Sequence, residues 1–244
     1  MPTLCQICLP LVWLASCGVL AAAQPSAQAE AWALIAQDDF ADGADDWAPL
    51  DADNWRVVSQ AGNRVFSQHA KKPSYQPPHR SPFHVALWNA AVVSDCELTA
   101  RVKSTHADYG GRDVCLIFGY QDPAHYYYAH LGKQTDAIHN QIHIVDGADR
   151  RKITATTNDG TPWDDHWHTV RVVRQVESGQ IEVYWENHPK PFMTAVDKTF
   201  AYGSVGVGTF DDTAEWDDLE LRGVVPKPPA SHVLPGGPAA VRIR

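Results

Sequence analysis

Beyond about residue 36, apolar and polar residues alternate with period two in short runs broken by turn formers. Runs at 54–58, 64–66, 83–88, 96–103, 113–120, 125–131, 140–145, 151–156, 167–176, 180–185, 204–209 and 216–221 predict strands. Gly62-Asn63, Gly110-Gly111, Asp146-Gly147, Asn158-Asp159-Gly160 and Ser178-Gly179 separate them. No window of a dozen residues sustains a helical stripe. This many short strands in about 185 residues predict one all-β domain, a β-sandwich of two antiparallel sheets. Residues 69–82 form the one long irregular loop, and the Pro/Gly-rich end, 224–244, reads as a flexible tail.

The runs 96–103 and 113–120 read as arms of a hairpin turning at Asp108-Tyr109-Gly110-Gly111. That register sets Cys96 and Cys115 several residue pairs apart, so two free thiols are expected. At the other end, residues 1–29 carry no charge, and 9–23 are nearly all apolar. The run is short for a membrane span and ends in small-residue sites, Ala21-Ala22-Ala23 and Ala27-Gln28-Ala29. A signal peptide over 1–29 is expected, and with it an exported, periplasmic or extracellular protein without a membrane span in the mature chain. Leu14-Ala15-Ser16-Cys17-Gly18 also matches a lipoprotein box, which makes Cys17 the candidate lipid anchor.

Composition narrows the partners. The 244 residues include 20 basic and 29 acidic side chains, a formal net charge of −9, which argues against nucleic acid. Nine Trp, eight Tyr and seven Phe supply large anchors for a core or a ligand platform.

Strand parity then gathers a polar set. In 125–131, Tyr127, Ala129 and Leu131 take the core side, leaving Tyr126, Tyr128 and His130 on the other face. In 139–144, Ile142 and Ile144 go inward and His139, Gln141 and His143 go out. A short connection makes the two runs a hairpin, so all six share one sheet face. Aromatic rings stack on the apolar faces of sugars, and imidazole and amide groups meet hydroxyls. These six are the candidate ligand-binding residues for an oligo- or polysaccharide; an ordinary solvated sheet face is the alternative.

The runs Trp167-His168-Thr169-Val170-Arg171-Val172-Val173-Arg174 and Ser178-Gly179-Gln180-Ile181-Glu182-Val183-Tyr184 carry a likeness. So do Gly203 to Asp212 running into Trp216-Asp217-Asp218-Leu219-Glu220-Leu221, and the opening Asp38-Asp39-Phe40 with Trp47 and Trp55. Together, over about 37–223, the chain resembles concanavalin A-like lectin/glucanase domains, in particular exported bacterial domains grouped near the 3-keto-disaccharide hydrolase domain. The resemblance implies a jelly-roll sandwich whose concave face meets a glycan. Gln141-Ile142-His143 is similar to a motif of jelly-roll alginate lyases. That likeness implies His143 with Tyr126 or Tyr128 as acid–base groups and Gln141 against a uronate carboxylate, although the Arg-rich strand of those enzymes is absent. Candidate catalytic residues on this face are therefore His143, Tyr128 and His130.

Three further constellations stand apart. Glu215, Asp217 and Glu220 have the Glu-x-Asp-x-x-Glu spacing seen in some retaining glucanases of this fold, but on what reads as a closing strand with an acidic edge. Asp38, Asp39 and Asp42 approach Asp217 and Asp218 if the terminal strands pair, offering oxygen ligands for a structural Ca²⁺. His166 and His168 share a strand face without an evident third zinc ligand. The expected function is an exported glycan-binding module. A glycoside hydrolase or polysaccharide lyase, or a structural envelope-interaction module, are the alternatives.

Overall fold

The computed structural model describes residues 32–226; the expected signal peptide, Cys17 and the tail beyond Pro226 lie outside the described residues. The described part carries sixteen strands. They are β1 (Leu34–Asp38), β2 (Trp47–Pro49), β3 (Trp55–Gln60), β4 (Asn63–Gln68), β5 (His84–Val93), β6 (Cys96–Ser104), β7 (Asp113–Asp122) and β8 (His125–Gly132). Then follow β9 (Gln141–Asp146), β10 (Arg151–Lys152), β11 (Thr154–Thr156), β12 (His168–Arg174), β13 (Gln180–Trp185), β14 (Met193–Val196), β15 (Gly203–Thr209) and β16 (Ala214–Gly223). A single 3₁₀ turn, Ala52–Asn54, is the only helical element among the described residues, and no helix is long and apolar enough to cross a membrane.

All pairings are antiparallel and make two sheets, the β-sandwich that the period-two pattern predicts. One sheet runs β11-β14-β13-β12-β6-β16-β4-β3, with β1 added along β16; the other runs β10-β9-β8-β7-β15-β5-β2. The terminal strands pair as expected, Asp38 opposite Leu219.

Between the sheets lies the main core, where alternate residues of each strand meet: Leu98, Ala100 and Val102 of β6, Val170 and Val172 of β12, Tyr127, Ala129 and Leu131 of β8. At one end Phe40, Trp47, Trp55, Phe66 and Trp88 pack ring on ring, the Trp47 and Trp88 planes stacked at 5.4 Å. The outer side of the seven-stranded sheet holds a second apolar cluster. It comprises Val85, Leu87, Cys115, Ile117, Tyr120, Tyr126, Tyr128, Val145 and Phe210, with Leu50 and Phe83 against it.

The 96–103/113–120 hairpin does not form. β6 pairs with β12 and β16 in one sheet, whereas β7 pairs with β8 and β15 in the other. The link between them is an arch across the sandwich, pinned by a buried Arg112 that donates to the Ser104 hydroxyl and carbonyl. Alternation could not reveal this, because β7 is covered on both faces and β6 on one. Cys96 and Cys115 are both buried and free, as expected, but because they stand in different sheets and not because of hairpin register.

Candidate functional site

The β8–β9 hairpin has the expected register, Tyr128 opposite His143 and His130 opposite Gln141, so Tyr126, Tyr128, His130, Gln141 and His143 do share one face. That face is not open to solvent. Tyr128 and His130 are fully buried, and Tyr126, Gln141 and His143 nearly so. The cover comes from the irregular segment 69–83 and from Phe210. Ser81 hydrogen-bonds the Tyr126 hydroxyl, and Phe83 packs edge-on against Phe210. Arg80 and Arg150 lie over the Phe210 ring. His139 departs from the set: Asn140 takes a left-handed backbone (φ 55°), strand β9 begins only at Gln141, and the part-exposed His139 ring turns to Asp136.

Hydrogen bonding inside this covered face is incomplete. The Ile138 carbonyl faces both His130 Nδ1 (2.9 Å) and His143 Nε2 (2.8 Å). A carbonyl only accepts, so both nitrogens carry protons and donate. This leaves His130 Nε2, His143 Nδ1 and Gln141 Oε1 buried without a hydrogen bond, Asp113 Oδ2 standing 3.0 Å from the first of them. Burial drives the Tyr128 hydroxyl far above its usual range and holds His143 down at about 3, against the smaller opposing effect of its bond to Ile138. An acid–base pair sealed from solvent has no path to a polymer substrate.

The His143 shift has a measurable sign. Below pH about 6.5 the unfolded chain binds a proton at His143 that the folded chain refuses, so acidification costs stability at up to ~1.4 kcal/mol per pH unit until about pH 3. Asp212, raised to about 6 mainly by burial and then by Asp113, works the opposite way, its stabilisation being present at low pH and lost as pH rises through 6. Comparing wild type with His143→Gln cancels the Asp212 contribution. Between pH 7 and 5, urea unfolding should show the wild type losing about 2 kcal/mol more than the variant; equal losses would mean that His143 ionises freely.

The acidic residues also lie differently from expectation. β16 is the last strand in the chain but a central strand in its sheet, flanked by β6 and β4. A bulge between Asp217 and Glu220, with Asp218 at φ 45°, lets Trp216 and Leu219 both face the core and puts Glu215, Asp217 and Glu220 on the outer face. There Glu215 accepts from Gln60, Asp217 from Asn63, and Glu220 pairs with Arg222.

The Ca²⁺ candidates do not converge. Asp38 is spent on the Phe40 amide and the Trp47 indole, Asp39 on the Ala41 amide, Asp218 on Arg101, and Asp217 on the Asn63 amide. Asp42 is exposed. Asp38, Asp39 and Asp218 line a cleft of about 270 Å³, but among the described residues they form no cation-sized cluster. His166 is exposed, and His168 instead lies on the Trp185 ring (4.4 Å) between Asp164 and Glu186.

A second cleft, of about 290 Å³, opens beside β13 and is lined by Asn158, Gly160, Pro162, Trp185, His188, Lys190 and Phe192. Its floor is built from strand ends: Trp185 closes β13 and packs edge-on against Trp163 (4.9 Å), whose indole donates to the Leu131 carbonyl. One wall, 157–161, is clamped by buried Asn140, whose amide donates to Asn158 Oδ1 and Thr135 Oγ1 and accepts from Thr161. Gly160 is required there, since a Cβ would stand 2.1 Å from the Lys133 carbonyl oxygen. The other wall starts at Glu186 (φ 52°), held by its hydrogen bond to His168. The set combines apolar ring surface with an amide, an imidazole and an amine. Alternation hides it, because its members come from loops and one strand end; the turn signal Asn158-Asp159-Gly160 was its only trace in the sequence.

No family model matches the sequence, and no curated protein matches it either. In fold the chain is similar to carbohydrate-binding module CBM66 from Bacillus subtilis: 15% identity, TM-score 0.52, covering 73% of this chain and 96% of that one. It is similar to the cellulose-induced protein Cip1, at 14% identity and TM-score 0.51 over 78% and 98% of the two chains. It is also similar to domain 4 of AbnA, an extracellular arabinanase from Geobacillus stearothermophilus solved with arabinotriose, at 10% identity and TM-score 0.51 over 80% and 94%. At these identities the likeness establishes what the two sheets already show: the chain folds as a β-sandwich of the kind that these three structures share.

Proposed function

We propose that the protein is a carbohydrate-binding β-sandwich module of the concanavalin A-like kind, exported, and that it takes its glycan in the cleft floored by Trp185. The observation that carries this reading is the cleft itself, a preformed hollow in which ring surface from Trp185 and Phe192 faces hydrogen-bonding groups from Asn158, His188 and Lys190. The fold likeness to sugar-binding modules supports the ligand class. The test is calorimetric titration of a neutral and acidic oligosaccharide panel that includes arabinotriose. Because His188 and Lys190 are exposed, His188→Ala with Lys190→Ala should leave folding intact and weaken binding about tenfold, near 1.4 kcal/mol. Unchanged affinity in the double variant, or no binding across the panel, overturns the assignment.

One observation favours a second reading, glycoside hydrolysis. The bulged central strand brings Glu215, Asp217 and Glu220 to one side of the sheet, where a carboxylate pair flanking a glycosidic bond would have to stand, although Glu215 and Asp217 are buried there and only Glu220 is part-exposed. The same incubations, assayed for reducing ends, separate the two: a pure binding module releases none.

A further inference from the structure

We propose that Asp113, Cys115 and His130 form a binding site for a divalent transition metal of zinc type, buried beneath the Phe210 cover. Strand register assembles it. Asp113 and Cys115 are two apart on β7 and share a face, and His130 is the cross-strand partner of Cys115 on β8. Their ligand atoms, a carboxylate oxygen, Sγ and a ring nitrogen, all lie within 4.8 Å of one another, and all three residues are buried.

The histidine indicates a missing partner. His130 Nδ1–H is committed to the Ile138 carbonyl, which leaves the Nε2 lone pair pointing into the cluster. Asp113 Oδ2 is 3.0 Å from Nε2, yet Nε2 makes no hydrogen bond, so the two atoms are close without hydrogen-bond geometry. Two ligands of a common ion stand in that way. The Ile138 bond is also the outer-shell contact that metal-bound imidazoles usually make, fixing tautomer and ring orientation. Asp113 is oriented in turn: its other oxygen accepts from the Phe210 amide (3.3 Å), and its own amide donates to Asp212.

One sulfur, one imidazole nitrogen and one carboxylate oxygen suit Zn²⁺ and its borderline relatives and disfavour Ca²⁺ or Mg²⁺, which want oxygen alone. On binding, the sulfur–metal bond forms as Cys115 releases its thiol proton to solvent, so uptake is coupled to loss of a proton. His139, part-exposed, stands with its ring 5.2 Å from that of His130.

Cobalt serves as the probe, since thiolate ligation gives it a charge-transfer band that oxygen and nitrogen ligands do not. The full chain carries three further cysteines, so the test uses Cys5→Ser, Cys8→Ser and Cys17→Ser together as background. Metal-free protein titrated with Co²⁺ should develop the thiolate band to one equivalent, lose it on adding Zn²⁺ and keep it with excess Ca²⁺. Zn²⁺ should raise the melting temperature. Cys115→Ser should abolish the band, and His130→Gln should weaken Co²⁺ binding at least tenfold, with circular dichroism checking that both remain folded. Cys96→Ser, in the other sheet, should leave the band unchanged. No thiolate band in the folded background protein, or a band that follows Cys96, overturns the site.

Discussion

Tyr128→Ala is expected to destabilise the domain by about 3–5 kcal/mol, the cost of deleting a large buried ring. The Tyr128 ring is fully covered, stacked on His143 at 5.0 Å and 17° and packed near Tyr126 and Phe210. Removing it opens a cavity between the seven-stranded sheet and segment 69–83 that the neighbouring side chains cannot fill without distortion. Native stabilities of about 5–15 kcal/mol leave little margin for such a loss. Urea unfolding of the variant, compared with wild type at pH 7, provides the measurement. A sugar-stacking platform open to solvent would behave otherwise, keeping its stability and losing glycan affinity; that outcome would return the binding site to the β8–β9 face.

A loss of similar size is expected for Asp51→Ala. The Asp51 carboxylate is buried and takes three donors: the Trp55 indole at 2.9 Å, the Asn54 amide at 2.8 Å and His84 Nδ1 at 2.5 Å. His84, itself fully buried, reaches with its other nitrogen toward the Lys71 carbonyl, and Asn54 donates to the Lys72 carbonyl. The carboxylate therefore ties the aromatic end of the main core to the start of the segment that covers the second one. Truncation strands an imidazole and an indole N–H in the interior, and breaking one side of such a buried pair costs about 3–5 kcal/mol. Asp51→Asn, which retains one acceptor oxygen, should lose less. Equilibrium unfolding of both variants is the check, and a loss under 1 kcal/mol for Asp51→Ala would show that the cluster is dispensable.

Parity was legible at β8 and β9. Tyr127, Leu131, Ile142 and Ile144 go to one side and Tyr126, Tyr128, His130, Gln141 and His143 to the other, as their alternation requires. What parity could not say was whether the second side meets water. Segment 69–83, rich in proline and without a period, gives no sign of the surface that it lies on, yet it turns a polar-looking face into interior. The case of β16 is similar. Its place at the end of the chain suggested an edge strand, whereas pairing with β6 on one side and with β4 and β1 on the other makes it central.

By itself, then, the sequence determined most of the strands, their two faces and the sandwich class, because period-two burial is a local property written residue by residue; β2 and β14 were too short to show, and the run 151–156 divides between the two sheets as β10 and β11. It also placed the β8–β9 hairpin correctly, since a short connection leaves adjacent strands little choice of partner. Only the tertiary structure decided which sheet received β6 and which β7, what covered the histidine-rich face, and which loops met to form the Trp185 cleft. Those outcomes depend on contacts between residues far apart in the chain. Their energy comes from shared burial, which no single run of side chains specifies.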